Sequence, residues 1–163
     1  MRSRMPFSIQ GVSQSMTYRV RSAEQRRAEI QANAIAMGID DAFISKLVET
    51  FYQRVRQHAK LGPIFHDAVE DWDEHLPKMK DFWSSVATNS GRYSGKPVPV
   101  HKKLSGVSEH DFSEWLDLFE QTLYDIAPSP DVVPYFLDRA KRIAESLKLA
   151  MFSLPKLREG PGA

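Results

Sequence analysis

The sequence predicts an all-α protein, and three observations lead to that fold class. Apolar residues recur at helical spacing in several consecutive segments, residues that cap helices precede those segments, and Gly or Pro residues separate them. Of the 163 residues, 42% are hydrophobic and 26% are charged, as in an ordinary globular protein. This length is sufficient for one domain with a sizeable buried core.

Two helices are predicted in the first part of the chain. Residues 22–36 are good helix formers, and Gly38 is a suitable stop. Asp40 or Asp41 can cap a second helix that runs to about Ala59. The apolar residues of this second helix lie on one stripe with helical spacing: Phe43, Ile44, Leu47, Val48, Phe51, Tyr52 and Val55.

The middle of the chain predicts a short helix and a long one. Gly62-Pro63 is expected to end the second helix, and residues 64–69 are expected to form a short helical turn. A third long helix is expected over residues 71–89. Pro77 falls in its first turns, where a missing N–H does least harm.

A loop over residues 91–95 and two further helices complete the predicted fold. Ser108 caps the first of these helices, with Asp111 as a partner that resembles a capping box. Its apolar stripe consists of Phe112, Trp115, Leu116, Phe119, Leu123 and Ile126. Ser129-Pro130 is expected to open the last helix, whose apolar residues are Val133, Phe136, Leu137, Ala140, Ile143, Ala144, Leu147 and Met151.

The charge of the chain is unevenly distributed. The formal net charge is +1, but residues 1–36 contain six Arg and two Glu, a net of +4, which leaves −3 for residues 37–163. The main domain therefore has no basic footprint, and nucleic-acid binding is not expected. No apolar stretch approaches the roughly 20 residues that a membrane-spanning helix needs, so no membrane association is expected.

The chain contains no cysteine. This excludes disulfides, iron–sulfur clusters, thiolate-ligated haem, covalent haem attachment and a cysteine nucleophile. It is also consistent with a reducing compartment, and we expect a cytoplasmic protein.

One histidine, His101, lies on a short Pro-framed segment between helices that are rich in aromatic residues. The segment reads Lys-Pro-Val-Pro-Val-His-Lys-Lys-Leu over residues 96–104, with Gly106 downstream. A lone imidazole that faces an aromatic helical core has the chemistry of a single axial haem ligand. The alternative is a helical domain without a cofactor.

Three further side chains are predicted to project from apolar stripes as hydrogen-bond donors. Tyr52 lies on the stripe of the second helix, and Trp115 lies on the stripe of the helix capped by Ser108. His75 shares a stripe with Met79 and Phe82. Each alone is more often a core residue, but their convergence on a cavity that also holds an isolated histidine favours a ligand pocket.

The remaining candidate residues are less informative. His58, His66 and His110 are predicted to lie on the surface. Lys102 and Lys103 form a solvated face or meet haem propionates, and Arg92 is equally ambiguous. No Glu-x-x-His, His-Glu-x-x-His, Gly-x-Ser-x-Gly or Gly-x-Gly-x-x-Gly motif occurs, which argues against a di-iron bundle, a zinc protease, an α/β-hydrolase and a dinucleotide-binding fold.

Over residues 38–152, the chain resembles the truncated haemoglobins, most closely their third group. The glycine pairs of the other two groups are absent, because the chain contains no Gly-Gly. The matching motifs are Phe51-Tyr52-x-x-Val55-Arg56, Leu61-Gly62-Pro63-Ile64-Phe65, Trp72-x-x-His75-Leu76-Pro77-Lys78-Met79, Phe82-Trp83, Tyr93-x-Gly95-x-Pro97-x-x-x-His101-x-x-Leu104 and Phe112-x-x-Trp115-Leu116-x-Leu118-Phe119.

The resemblance implies a two-over-two helical sandwich around a b-type haem (iron protoporphyrin IX), here with an extra N-terminal helical extension. It assigns His101 as the iron ligand, Tyr52 and Trp115 as donors to bound dioxygen, and His75 as a candidate gate. The expected haem-binding residues are Phe51, Tyr52, His75, Met79, Phe82, Tyr93, Val100, His101 and Trp115. The expected organisation is a disordered extension over 1–21, an N-terminal helix over 22–37, a truncated globin domain over 38–153 and a flexible tail over 154–163.

Three functional hypotheses follow. The first is a haem protein that binds dioxygen or other diatomic ligands and reacts it with nitric oxide or peroxide, which requires an unidentified reductase. The second is storage or sensing of such ligands without turnover. The third is a haem-free helical interaction module whose aromatic residues form its core.

Overall fold

Seven α-helices and one π-helical turn make up residues 22–153, the part of the chain that the computed structural model describes. No strand occurs in this part, and none of its helices is sufficiently long and apolar to cross a membrane. The predicted disorder of residues 1–21 and 154–163 lies outside the described residues. The elements are α1 (Ala23–Met37), α2 (Asp41–Gln57), α3 (Leu61–Ala68), α4 (Trp72–Thr88), α5 (Pro97–Lys102), α6 (Glu109–Ile126), α7 (Val132–Lys148) and the π turn (Leu149–Ser153).

Helix α1 ends at its predicted stop, Gly38, and begins with a capping box at Ser22. The side chain of Ser22 accepts a hydrogen bond from the backbone of Gln25, and the Gln25 side chain accepts one from the backbone of Ser22. Gly38 ends the helix with φ of 91°. A Cβ at this position would lie 2.7 Å from Cγ of Pro128, so both the backbone conformation and the close contact require glycine.

The corner between α2 and α3 differs from the prediction. Helix α2 ends at Gln57, and α3 begins at Leu61, three residues earlier than expected, with Pro63 in its first turn. The expectation that Gly62-Pro63 would end one helix and precede the next is therefore wrong, because proline is tolerated where no N–H is needed. Gly62 allows the tight corner, since a Cβ there would lie 2.8 Å from the carbonyl oxygen of Arg56.

His58 stabilises this corner. Its Nδ1 accepts hydrogen bonds from the backbone N–H groups of Lys60 (3.2 Å) and Leu61 (3.1 Å). Its Nε2 lies 3.8 Å from a carboxylate oxygen of Glu114 on α6. His58 was predicted to lie on the surface, but its side chain is only 29% exposed. Its two hydrogen bonds cap the start of α3.

The predicted stripe of α2 forms the centre of the core. All seven of its residues are buried, and α2 packs against α3, α4 and α6, while α6 packs against α7. Trp83 of α4 stacks on Phe119 of α6 with ring centroids 4.8 Å apart, and Trp115 stacks on the same Phe119 at 5.4 Å. These stacked aromatic rings fix α4 against α6.

Two predicted segments differ in form or extent from the expectation. The Pro-framed segment that carries His101 is the short helix α5, with Pro97 at its first position, where the fixed φ of proline favours a helix. The last helix begins at Val132 rather than at Ser129-Pro130, and ends in the π turn. The loop between α4 and α5 is held by Arg27, whose Nε donates to the carbonyl of Asn89 (2.8 Å).

Candidate functional site

A largely apolar cavity of about 260 Å³ lies among α2 to α7. Residues from α3, α4, α5, α6 and α7 contribute to its wall, together with Tyr52 of α2. Of the residues predicted to bind haem, the following line this cavity: Tyr52, His75, Met79, Phe82, Tyr93, Val100, His101 and Trp115. The structure therefore brings together side chains that are up to 63 positions apart in the sequence.

His101 reaches the cavity from α5 with its ring already oriented. Its Nδ1 lies 2.7 Å from the carbonyl oxygen of Pro97, one helical turn earlier. Because a carbonyl can only accept a hydrogen bond, Nδ1 is the donor, and in the neutral imidazole the lone pair is then on Nε2. A histidine whose second nitrogen is bound to a backbone carbonyl is the usual arrangement of a metal-ligating imidazole.

Tyr52 is buried at the cavity wall, with only 5% of its surface exposed. Its ring lies edge-on to His75, with centroids 5.8 Å apart, and packs near Phe65 and Trp72. Its hydroxyl makes no hydrogen bond within residues 22–153. Burial, and then the charge of Tyr93, raise the pKa of Tyr52 well above its ordinary value. The hydroxyl therefore keeps its proton and remains a donor.

Trp115 is held rigidly at another part of the wall. Its ring is stacked on Phe119 with an interplanar angle of 3° and meets the ring of Phe51 edge-on at 5.3 Å. Within the described chain its indole N–H has no hydrogen-bond acceptor, so it can donate to a ligand in the cavity.

His75 lies between the cavity and the protein surface and is partly buried. Its ring is edge-on to Trp72 at 5.5 Å as well as to Tyr52. Burial, and secondarily the positive charge of Lys78, lower the pKa of His75 below its ordinary value of about 6.5. The imidazole is therefore neutral at neutral pH, and no hydrogen bond to another described residue holds it in place.

The lowered pKa of His75 predicts a pH dependence of stability. Below pH 6.5 the unfolded chain binds a proton at this histidine more readily than the folded chain, so acidification lowers the free energy of unfolding until the pH passes below the folded pKa. We expect His75→Gln to lose less stability than the original protein between pH 7.5 and pH 5.5, a pH pair that brackets about 6.5. Urea unfolding of the haem-free protein at the two pH values measures this difference. His66→Gln, a change at an exposed histidine, is the control, and equal losses in all three proteins would contradict the prediction.

Phe51 is the one predicted haem-binding residue that does not line the cavity. It is 1% exposed and packs against Tyr52, Trp115 and Phe119. Consecutive positions on a helix differ by about 100° in direction, and here Tyr52 is turned to the cavity while Phe51 is turned to the core between α2 and α6. Phe51 supports the two donors from behind.

The other polar candidates have separate environments. Arg92 forms a two-pronged ion pair with Asp41, at 2.9 and 3.3 Å, and this contact raises the pKa of the Arg92 guanidinium. Lys102 and Lys103 are exposed next to His101. His66 and His110 are exposed, as predicted.

Several wall residues were not predicted as part of the site. Asp111 was interpreted only as a capping residue, and the apolar faces of α3 and α7 only as core or motif positions. The signal in the sequence was the position of most of these residues on apolar helix faces, but an apolar face does not tell a packed core from the wall of a cavity. The unpredicted residues include Leu61, Ile64, Phe65, Asp111, Ile143, Ala144 and Leu147.

Comparisons with known proteins give one consistent relationship. No family model matches the chain. A curated protein described as "Group 3 truncated hemoglobin ctb", from Campylobacter jejuni subsp. jejuni, is 35% identical over 118 residues, which cover 70% of this chain and 92% of that relative. A crystal structure of a group III truncated haemoglobin from Campylobacter jejuni superposes with a TM-score of 0.67 at 33% identity, over 72% of this chain and 95% of that one.

Proposed function

The chain belongs to the group III truncated haemoglobins, and from this premise we propose that it holds a non-covalent b-type haem through His101 and binds dioxygen beside Tyr52 and Trp115. The all-α, truncated globin-like fold expected from the sequence is confirmed by the match to a solved member of that group. The assignment of individual residues is our proposal.

One observation carries the proposal most strongly: the imidazole of His101 lines the cavity, and Nε2 is the nitrogen that is left for a metal. Its Nδ1–H is bound to Pro97, which fixes the tautomer that a metal ligand requires. The rest of the lining is mainly apolar, and it includes the rings of Phe82 and Tyr93, which pack edge-on at 5.1 Å. These residues fit a flat, apolar cofactor that is held by packing and by one histidine.

A bound haem would supply an iron site that takes up diatomic ligands reversibly. The protein residues determine how long a ligand stays. Tyr52 and Trp115 each offer a donor that has no acceptor among the described residues. Donation to a ligand would therefore not replace a hydrogen bond to another of these residues. A hydrogen bond to an acceptor with negative charge contributes about 1.5–3 kcal/mol. The apolar wall excludes water that would compete for the two donors.

Two donors that line the cavity without an acceptor among the described residues favour retention of dioxygen over its delivery. Retention of dioxygen is the property that supports a reactive role. We propose that the retained dioxygen oxidises nitric oxide to nitrate, with one electron from a reductase for each nitric oxide consumed. Reduction of peroxide to water, with two electrons from the reductase and two protons, would be a separate reaction of the same site. Storage or sensing of a diatomic ligand is the alternative. Nitrate formation from nitric oxide in air, with a chemical reductant in place of the reductase, distinguishes the two functions. If the protein forms no more nitrate than a control without protein, turnover of nitric oxide is contradicted and storage or sensing is favoured.

The absorption spectrum of the purified protein, before and after addition of haem, tests the cofactor. We expect a Soret band whose intensity saturates at one haem per chain, in both ferric and ferrous forms. A protein that shows no such band after supplementation would contradict the proposal and would leave a helical protein without the cofactor.

A further inference from the structure

Asp111 is a buried carboxylate at the wall of the same cavity. Asp111 is 3% exposed. The other buried polar residues of the described chain, Ser84 and Thr122, carry no charge. Asp111 lies in the first turn of α6 and lines the cavity together with His101, Leu104 and Val107. None of the functional steps proposed above uses it.

The carboxylate of Asp111 is only half satisfied. Its Oδ2 accepts a hydrogen bond from the backbone N–H of Ser108 at 2.9 Å, which forms one half of a capping box. Its Oδ1 is buried without a partner, and no cation pairs with Asp111 in the part of the chain described. Glu114, one turn later, also has a buried carboxylate oxygen without a hydrogen bond, but it lies within ion-pair distance of both His58 and His110.

The first turn of α6 places positive potential beside the carboxylate of Asp111. The N-terminus of a helix carries a partial positive charge, and the Ser108 N–H is directed at the carboxylate. A buried anion without a counter-charge is nevertheless costly, because little solvent remains to stabilise it. The arrangement therefore places a carboxylate beside a cavity whose described lining includes no lysine and no arginine.

We propose that Asp111 is the counter-charge of an oxidised haem and that it lowers the reduction potential of the haem in this cavity. This inference rests on the proposed function, because it requires a haem bound beside His101. A ferric iron with a porphyrin dianion carries a net charge of +1 at its centre, whereas the ferrous form is neutral there. A nearby carboxylate would attract the ferric form and not the neutral ferrous form, and the low dielectric of the cavity would strengthen that attraction.

Asp111→Asn tests the proposal, because asparagine has nearly the same shape and keeps an oxygen that can accept the Ser108 N–H. We expect the ferrous-to-ferric ratio at a fixed applied potential to rise by on the order of tenfold, which corresponds to about 59 mV for a one-electron couple. Spectroelectrochemical titration of the haem-loaded protein measures it. Asp117→Asn removes the same charge from an exposed position of α6 and should leave the potential unchanged.

Two further variants separate charge from packing. Asp111→Glu retains the charge and should keep a potential close to that of the original protein. Asp111→Ser removes the charge with a different, smaller side chain and should reproduce the shift of Asp111→Asn, so it serves as the test if the asparagine variant does not fold. Equal potentials in the original protein and in both neutral variants would overturn the proposal, as would a shift in Asp111→Glu as large as that in Asp111→Asn. If the original protein takes up no haem, the proposed function fails as well; an unchanged potential in a haem-loaded variant overturns only the role of Asp111.

Discussion

Replacement of His101 by glycine is expected to abolish stable haem retention, and added imidazole is expected to restore it. The variant removes the only described cavity-lining imidazole whose second nitrogen is bound to a backbone carbonyl. The space that it leaves is of the size of free imidazole, which can supply the same nitrogen to the iron. Haem transfer to an excess of an acceptor protein, followed by absorption spectroscopy with and without imidazole, measures the loss and the rescue.

The matched control is His110→Gly, which removes an imidazole that is 77% exposed and does not line the cavity. This variant should retain haem at the level of the original protein. If His101→Gly keeps its haem with an unaltered five-coordinate ferrous spectrum, the axial ligand is another residue, and the proposal for His101 is wrong. His75, the other histidine of the cavity wall, would then be the residue to test.

Tyr52→Phe is expected to raise the rate of dioxygen dissociation by about tenfold to a hundredfold. The estimate follows from a hydrogen bond of about 1.5–3 kcal/mol, since about 1.4 kcal/mol corresponds to a factor of ten. The free energy of unfolding should not fall, because the Tyr52 hydroxyl makes no hydrogen bond within the described residues. Stopped-flow displacement of dioxygen gives the rate, and urea unfolding gives the stability.

The control for this prediction is Tyr135→Phe, in which the opposite pattern is expected. The Tyr135 hydroxyl donates to the carbonyl of Ala87, away from the cavity. Its removal should lower the free energy of unfolding by about 1 kcal/mol and leave the dissociation rate unchanged. A dissociation rate that Tyr52→Phe does not alter would contradict the proposed donation from Tyr52 to the bound ligand.

Local signals predicted most of the helices correctly. The apolar stripe of α2 identified seven buried residues, because a period of 3.6 residues directly determines which face meets the core. Gly38 marked the end of α1 through capping chemistry that depends only on neighbouring residues. The start of α3 was missed because Pro63 is compatible both with the end of a helix and with the first turn of one.

The site was less predictable because it depends on how the helices pack. Phe51 and Tyr52 occupy the same stripe, and only the positions of α4 and α6 decide that the tyrosine meets the cavity while the phenylalanine meets Trp115. The burial of Asp111 was equally inaccessible, since a capping residue in a first turn is usually exposed. A sequence pattern specifies the face of a helix, but not the empty volume between helices.

The hydrogen bond from His101 to Pro97 also has an entropic consequence. A free histidine side chain at the protein surface samples several rotamers, and fixing it on binding opposes association. Here the ring is oriented by its own helix, whose first residue is a proline that restricts the backbone further. A metal that approaches Nε2 would thus meet a preorganised ligand. The entropy cost of ordering that side chain is incurred when the chain folds and not when the cofactor binds.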